Sequence, residues 1–95
     1  MAVIRVLSPV GRASRQPLTA PALPADLTGL TVGFLDNTKA NFDRLVAELG
    51  ALLTGRWGVR EVVHRRKANA SSPAPPELLA ELAARCDVVF AGSAD

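Results

Sequence analysis

From Thr28 onward the apolar and polar positions alternate between two regimes. "LTVGFLDN", residues 30–37, is a short, nearly continuous apolar run between Gly29 and Asp36-Asn37, the pattern of a strand buried on both faces. "ANFDRLVAELGALLTGRWG", residues 40–58, then places Phe42, Leu45, Val46, Leu49, Leu52 and Leu53 at helical spacing, with Gly55 and Gly58 as the stop. "VREVVHR", residues 59–65, predicts a second strand. "KANASSPAPP", residues 67–76, predicts a loop whose Pro75-Pro76 suits the first turn of a helix. In that second helix Leu78, Leu79, Leu82, Ala83 and Cys86 share one face. "DVVFAG", residues 87–92, predicts a third buried strand.

Strand-helix-strand-helix-strand with short connections predicts a parallel α/β sheet with right-handed crossovers. The expected strand order is 2-1-3, as in flavodoxin-like folds, which sets the first and third strands side by side. Open α/β sheets bind ligands outside the carboxyl ends of such strands. Here those ends are "LDNTKAN", residues 35–41, and "AGSAD", residues 91–95, so one polar crevice is expected.

Residues 1–27 follow neither regime. A short apolar run, Val3 to Leu7, is followed by Pro9, Pro17, Pro21 and Pro24, with Gly11, Arg12 and Arg15 among them. Proline fixes φ and removes a donor, so an extended arm is expected, with one edge strand near Val3 to Leu7. Arms of this kind lie across partner subunits, since alone they bury too little to stay ordered. The division is therefore an arm over 1–27 and a βαβαβ half-domain over 28–95. It is a half-domain because a third strand left as an apolar edge, with unpaired backbone groups, calls for more strands from a partner chain.

Composition narrows the classes. The 95 residues make one small domain, and a hydrophobic share of 48% is that of a folded chain. A net charge of +2 is too weak to argue for nucleic acid, although His64 to Lys67 ("HRRK") with Arg56 and Arg60 is locally basic. Three Phe, one Trp and no Tyr offer no stacking platform for bases. The apolar runs are too short to span a bilayer, and "MAVIRVLSPVG" lacks the features of a signal peptide, so a cytoplasmic protein is the expectation. One cysteine excludes an internal disulfide framework and a metal-ligand cluster.

The candidate chemistry gathers at the crevice. Asp36 and Asn37 read either as a cap and turn or as polar groups meeting a substrate carbonyl or orienting a nucleophile. Lys39 and Asn41 open the first helix, where the backbone N–H groups favour an anion. Gly92 allows close backbone approach, and Ser93 and Asp95 can hydrogen-bond a ligand; the bland alternative is a frayed end. Ser71 in the loop is a further substrate-binding candidate. Cys86 reads as a buried structural thiol. His64 has no triad-like partner by spacing and reads as a surface residue, or as part of a basic rim above the crevice. No metal site, P-loop or GxGxxG pattern is present.

Several of these segments carry a resemblance. Leu35, Asp36, Asn37, Lys39 and Asn41 match an LDN-x-K-x-N stretch, "SSPAP" up to Pro75 matches a Ser-x-Pro-Ala-Pro loop, and Gly92 with Asp95 matches a G-x-x-D ending. Together they resemble the N-terminal half of the UGSC family, named for a selenocysteine-or-cysteine, Gly, Ser, Cys motif that follows the G-x-x-D. The motif itself lies beyond Asp95. The resemblance therefore implies a small subunit of a split, thiol-dependent enzyme whose companion subunit begins at or near Cys-Gly-Ser-Cys. Separate genes, or cleavage of a precursor after Asp95, are the two routes to such a split. A looser likeness to proline and glycine reductase components implies either a reactive cysteine or selenocysteine, or a pyruvoyl group, on the partner; no cofactor is evident in this chain. In that enzyme Asn37, Lys39, Ser93 and Asp95 would be catalytic, and Asp36, Asn41, Gly92 and Ser71 would bind a small anionic substrate. Lyase, hydratase, hydrolase and reductive chemistry all stay open. The rival from another class is a stand-alone flavodoxin-like binding or regulatory module, and a reading frame running on past Asp95 is a third case.

Overall fold

A computed structural model describes residues 2–13 and 17–94. Its elements run β1 (Thr31–Asp36), α1 (Phe42–Arg56), β2 (Glu61–Arg66), α2 (Pro76–Arg85) and β3 (Val88–Gly92). The sheet is parallel throughout, in the order β2-β1-β3. β1 is the central strand, and its residues are the most enclosed: Val32 and Thr31 have no exposed surface and Phe34 almost none. Its near-continuous apolar sequence is what burial on two faces requires.

Side chains alternate across the sheet, so Val32, Phe34 and Asp36 share one face and Thr31, Gly33 and Leu35 the other. α1 covers the first face. Val46 and Val59 complete a core with Val32 and Phe34, flanked by Leu27, Phe42, Leu49, Leu53 and Val62. α1 ends where Gly58 takes a left-handed φ of 68°, a turn that also brings Gly58 O to Gly29 N–H at 2.8 Å. α2 begins at Pro76, where a missing N–H costs nothing. It closes the second face through Leu82 and the Cys86 that follows it, which lies over Gly33.

The N-terminal end of the sheet is tied by polar groups. Thr31 N–H donates to Asp87 Oδ2 at 2.8 Å, and Asp87 N–H donates to Thr31 O at 2.8 Å. Arg60 donates to Thr31 Oγ1 at 2.9 Å, so this fully buried threonine is satisfied. On the α2 face Arg65 and Arg85 both reach Glu81, and Arg85 also meets Glu61 at 2.9 Å, an exposed network that fastens α2 to β2.

Two expectations change. The segment Val3 to Leu7 forms no strand: its apolar side chains stand exposed, because no sheet edge lies alongside to supply hydrogen bonds. β3 is a strand, but it is not buried. Val89 and Phe90 are 40% and 46% exposed, one on each face, although Phe90 stacks on Phe34 with ring centroids 5.6 Å apart. Among the described residues no strand pairs with the outer edge of β3. The open surface continues onto α1. At 100° per residue, Leu45 and Leu52 stand next to Leu49 on the flank turned away from Gly50, and both are about half-exposed.

Gly33 provides a direct test of the α2 face. A Cβ there would stand 2.7 Å from Cys86 Sγ and 3.3 Å from Val89 Cγ2. Gly33→Ala is expected to lower stability by about 1–3 kcal/mol in urea denaturation. Adding Cys86→Ala should recover part of that loss; a G33A chain as stable as wild type would show that the packing is looser.

Candidate functional site

The parallel register brings three strand ends to one rim. Asp36 of β1 lies opposite Arg66 of β2 and opposite Gly92 of β3. The ladder runs on past all three, with Asn37 N–H donating to Gly92 O at 2.8 Å and Lys67 N–H to Asp36 O at 2.9 Å.

Asp36 has no exposed surface. Its Oδ1 accepts the Thr38 N–H at 2.7 Å, closing a turn at the end of β1. Its Oδ2 lies 2.9 Å from His64 Nε2 and 3.5 Å from Arg66 Nε. A carboxylate can only accept, so the proton between Asp36 and the ring belongs to His64 Nε2. Burying such a group requires partners of this kind, and three donors converge on it. The turn it closes is strained: Thr38 and Asn41 take φ of 69° and 68°, in the left-handed region that non-glycine residues rarely occupy. Each such residue costs about 1–3 kcal/mol, so the surrounding contacts must hold the 38–41 loop in place.

Asn37 is a clamp. Its Oδ1 accepts the Ser93 N–H at 2.9 Å, and its Nδ2 donates to Ser93 O at 2.8 Å. The side-chain amide thus stands in for one more strand residue and holds the segment after β3 against β1. The Gly92–Ser93 peptide is cis. Close approach favours glycine at 92, since a Cβ there would lie 3.0 Å from the Phe42 ring, which would have to give way. Lys39 is half-buried in the strained loop, with its N–H 3.4 Å from Asn37 Oδ1. Asn41 precedes α1 without a side-chain capping bond.

Asp36, Asn37, Lys39, Asn41, Gly92 and Ser93 therefore meet at one end of the sheet. Ser71 keeps to its own loop, where its N–H and Oγ both bond Asn69 Oδ1 at 3.0 Å. That loop is drawn toward the end of β2 by Lys67 Nζ, which donates to Ser72 O at 2.7 Å. Asp95 lies outside the described residues.

His64 is the residue that sequence spacing missed. Read as a surface group without a partner, it is instead bonded to the buried Asp36, 28 positions earlier in the chain. The usable signal was alternation: in a parallel β2-β1 pair, the residues that end both strands on the α1 face are Asp36, His64 and Arg66.

Cys86 is at the other end of the sheet. It follows α2 and precedes β3, on the α2 face, with its thiol over Gly33. Burial pushes its thiol pKa up, with the Arg85 guanidinium acting in the opposite sense. Among the described residues, no group of three or more His, Cys, Asp and Glu side chains is placed to hold a metal ion. No helix is long and apolar enough to cross a membrane.

A second feature adjoins the rim on the α1 face. Phe34, Phe42, Leu49, Leu53, Phe90 and Ala91 line an apolar groove of about 330 Å³ between α1 and β3. It begins beneath Gly92, because Phe42 belongs to both the groove and the Gly92 contact.

The family model described as the UGSC family matches residues 5–95, nearly the whole chain. No curated protein and no solved structure matches.

The clamp predicts that Asn37→Ala loses both hydrogen bonds to Ser93 and the longer one from Lys39 N–H, about 1–3 kcal/mol in urea denaturation. Its signature is local: the Ser93 amide should exchange with deuterium much faster, while amides in α1 keep their protection. The Cys86 pKa carries a pH prediction. A folded-state pKa above the unfolded value stabilises the chain fully below the unfolded thiol pKa. That stability is lost as pH rises through the folded one, because the unfolded thiol ionises first. Wild type should therefore lose stability against Cys86→Ala on the alkaline side of the ordinary thiol range, and native Cys86 should react with a disulfide reagent more slowly than unfolded chain does.

Proposed function

The chain belongs to the UGSC family, and on that premise we propose that it forms one wall of a thiol-dependent active site whose nucleophilic cysteine is carried by a companion subunit. The observation that carries this reading is the separation of thiol and crevice. The polar rim at the carboxyl ends of β1 and β3 has strand-end geometry suited to a ligand, yet Cys86 sits at the opposite end with its thiolate disfavoured. Thiol chemistry at this rim therefore draws on sulfur from outside the described residues.

The open flank of β3 is where such a companion would seat. Its outer edge offers unpaired backbone groups, and Phe90, Leu45 and Leu52 on one face with Val89 and Leu79 on the other offer apolar surface. A strand added beside β3, with helices over both faces, would cover these groups. It would also bring new strand ends to the same rim. A cysteine there, beside strand ends and a helix N-terminus, would have the lowered pKa of a nucleophile.

Within this site Asn37 shapes the wall by holding Ser93, and Lys39 with Arg66 supplies positive charge for a small anionic substrate. The reaction classes that fit are thiol-dependent lyase, hydratase or hydrolytic chemistry and reductive cleavage.

The test is purification of the tagged chain from its native cells, followed by alkylation of the complex with iodoacetamide and mapping of the labelled cysteine. A copurifying chain labelled at a Cys-Gly-Ser-Cys motif, with Cys86 spared, is the expected result. A folded, monomeric chain that purifies alone would overturn the reading, as would preferential labelling of Cys86.

A further inference from the structure

The Asp36–His64 pair is more than a tie between β1 and β2. Oδ1 of Asp36 is taken by Thr38 N–H, so the carboxylate cannot rotate freely, and Oδ2 is left to face the ring at 2.9 Å. The bond fixes the proton on Nε2. In the neutral ring the lone pair is then on Nδ1, for which no hydrogen bond is found among the described residues. Asp36 has no exposed surface, whereas the His64 side chain is 30% exposed. A fully buried carboxylate behind a partly open imidazole is the arrangement that holds one tautomer and stabilises the imidazolium once it forms. Pairs that only tie strands together do not need an open nitrogen.

We infer that His64 is a proton-accepting residue at the β2 side of the rim, with Asp36 as its positioning residue. Nδ1 takes the proton from a thiol: the S–H bond breaks, an N–H bond forms at Nδ1, and the electron pair stays on sulfur as thiolate. The imidazolium is then held between the Asp36 carboxylate and the thiolate. Arg66, whose Nε lies 3.5 Å from Asp36 Oδ2, shares the carboxylate, while the Arg65 guanidinium donates to His64 O at 3.0 Å. The identity of the proton donor rests on the thiol-dependent reading above. The tautomer and the open nitrogen rest on the geometry alone.

His64 is the chain's one histidine, so its ring can be read without assignment. Nitrogen NMR of the full chain labelled at histidine should show, for the neutral ring, a protonated Nε2 and an unprotonated Nδ1. A proton on Nδ1 with a bare Nε2 overturns the proposal. Diethyl pyrocarbonate, which attacks unprotonated imidazole nitrogens, should add one ethoxycarbonyl group to the native chain, mapped to Nδ1 of His64. A ring that reacts only after unfolding is a structural tie, and the proposal fails.

Asp36→Asn separates positioning from packing, because an amide can either accept from Nε2–H or donate to a bare Nε2. Loss of the single tautomer in D36N is expected; an unchanged tautomer shows that Asp36 does not set it. If D36N does not fold, the two wild-type measurements decide. Neither of them involves the companion's cysteine, so failure of the thiol-dependent reading appears only in the alkylation map and failure of the dyad only here.

Discussion

A carboxylate with no exposed surface ends the central strand, and much of the sheet's upper rim is arranged around that fact. Asp36 cannot be hydrated, so donors must be brought to it. Thr38 supplies one by turning into a left-handed conformation, and that turn sets how the chain enters α1. β2 supplies the others by ending in His64 and Arg66 on the same face. The β1–β2 register is therefore specified at its carboxyl end by electrostatics and in its middle by the apolar residues Val32, Val62 and Val63. The β1–β3 register is specified differently, by the Asn37 amide reaching Ser93 and by Phe34 stacking on Phe90.

These two junctions differ in how well they are closed. On the β2 side, every buried polar side chain among the described residues has a partner, and Val63 is buried under α2's face of the sheet. On the β3 side, aromatic and aliphatic groups remain half in water on both faces. Large exposed apolar groups scattered singly are ordinary on a protein surface. Phe90, Leu45 and Leu52 are not scattered, because they adjoin the groove formed with Phe34, Phe42 and Leu49. A contiguous apolar surface beside an unpaired strand edge is the kind of surface that the proposed companion would cover. The rim and this flank meet at Gly92, whose missing side chain lets β3 end against Phe42.

Periodicity made the element order, the parallel sheet and the order 2-1-3 legible, since each depends on local apolar spacing and on the handedness of crossovers. It placed Leu45 and Leu52 on the apolar face of α1, where they are, but spacing alone does not tell whether anything covers that face. Val3 to Leu7 fails as a strand for the same reason: a strand is a relation between two segments, and the second is not alongside. The pairing of His64 with Asp36 was hidden because it depends on strand register, which separates the partners by a whole helix in sequence. The roles of Asn37 and Gly92 were hidden too, for their partners are a backbone segment and an aromatic ring rather than a motif. The family resemblance reached the same residues through a pattern, without saying what each of them holds.

The position of the one thiol then bears on what the rim is for. A parallel sheet sorts chemistry by strand end: residues that precede a strand lie at one end, and residues that follow it lie at the other. Cys86 precedes β3 and packs against Gly33, where a raised pKa suits a small apolar group and not a nucleophile. Asp36, Asn37, His64 and Ser93 belong to the carboxyl ends, where a buried charge, a strained loop and an open imidazole are held together at a cost in stability. Stability alone does not call for a charge at 36, because replacing a buried charged cluster with well-packed apolar side chains is often neutral or stabilising. A charge there, with its ring partner 30% exposed, fits the proton-handling role proposed for the rim, while the thiol at the other end serves packing.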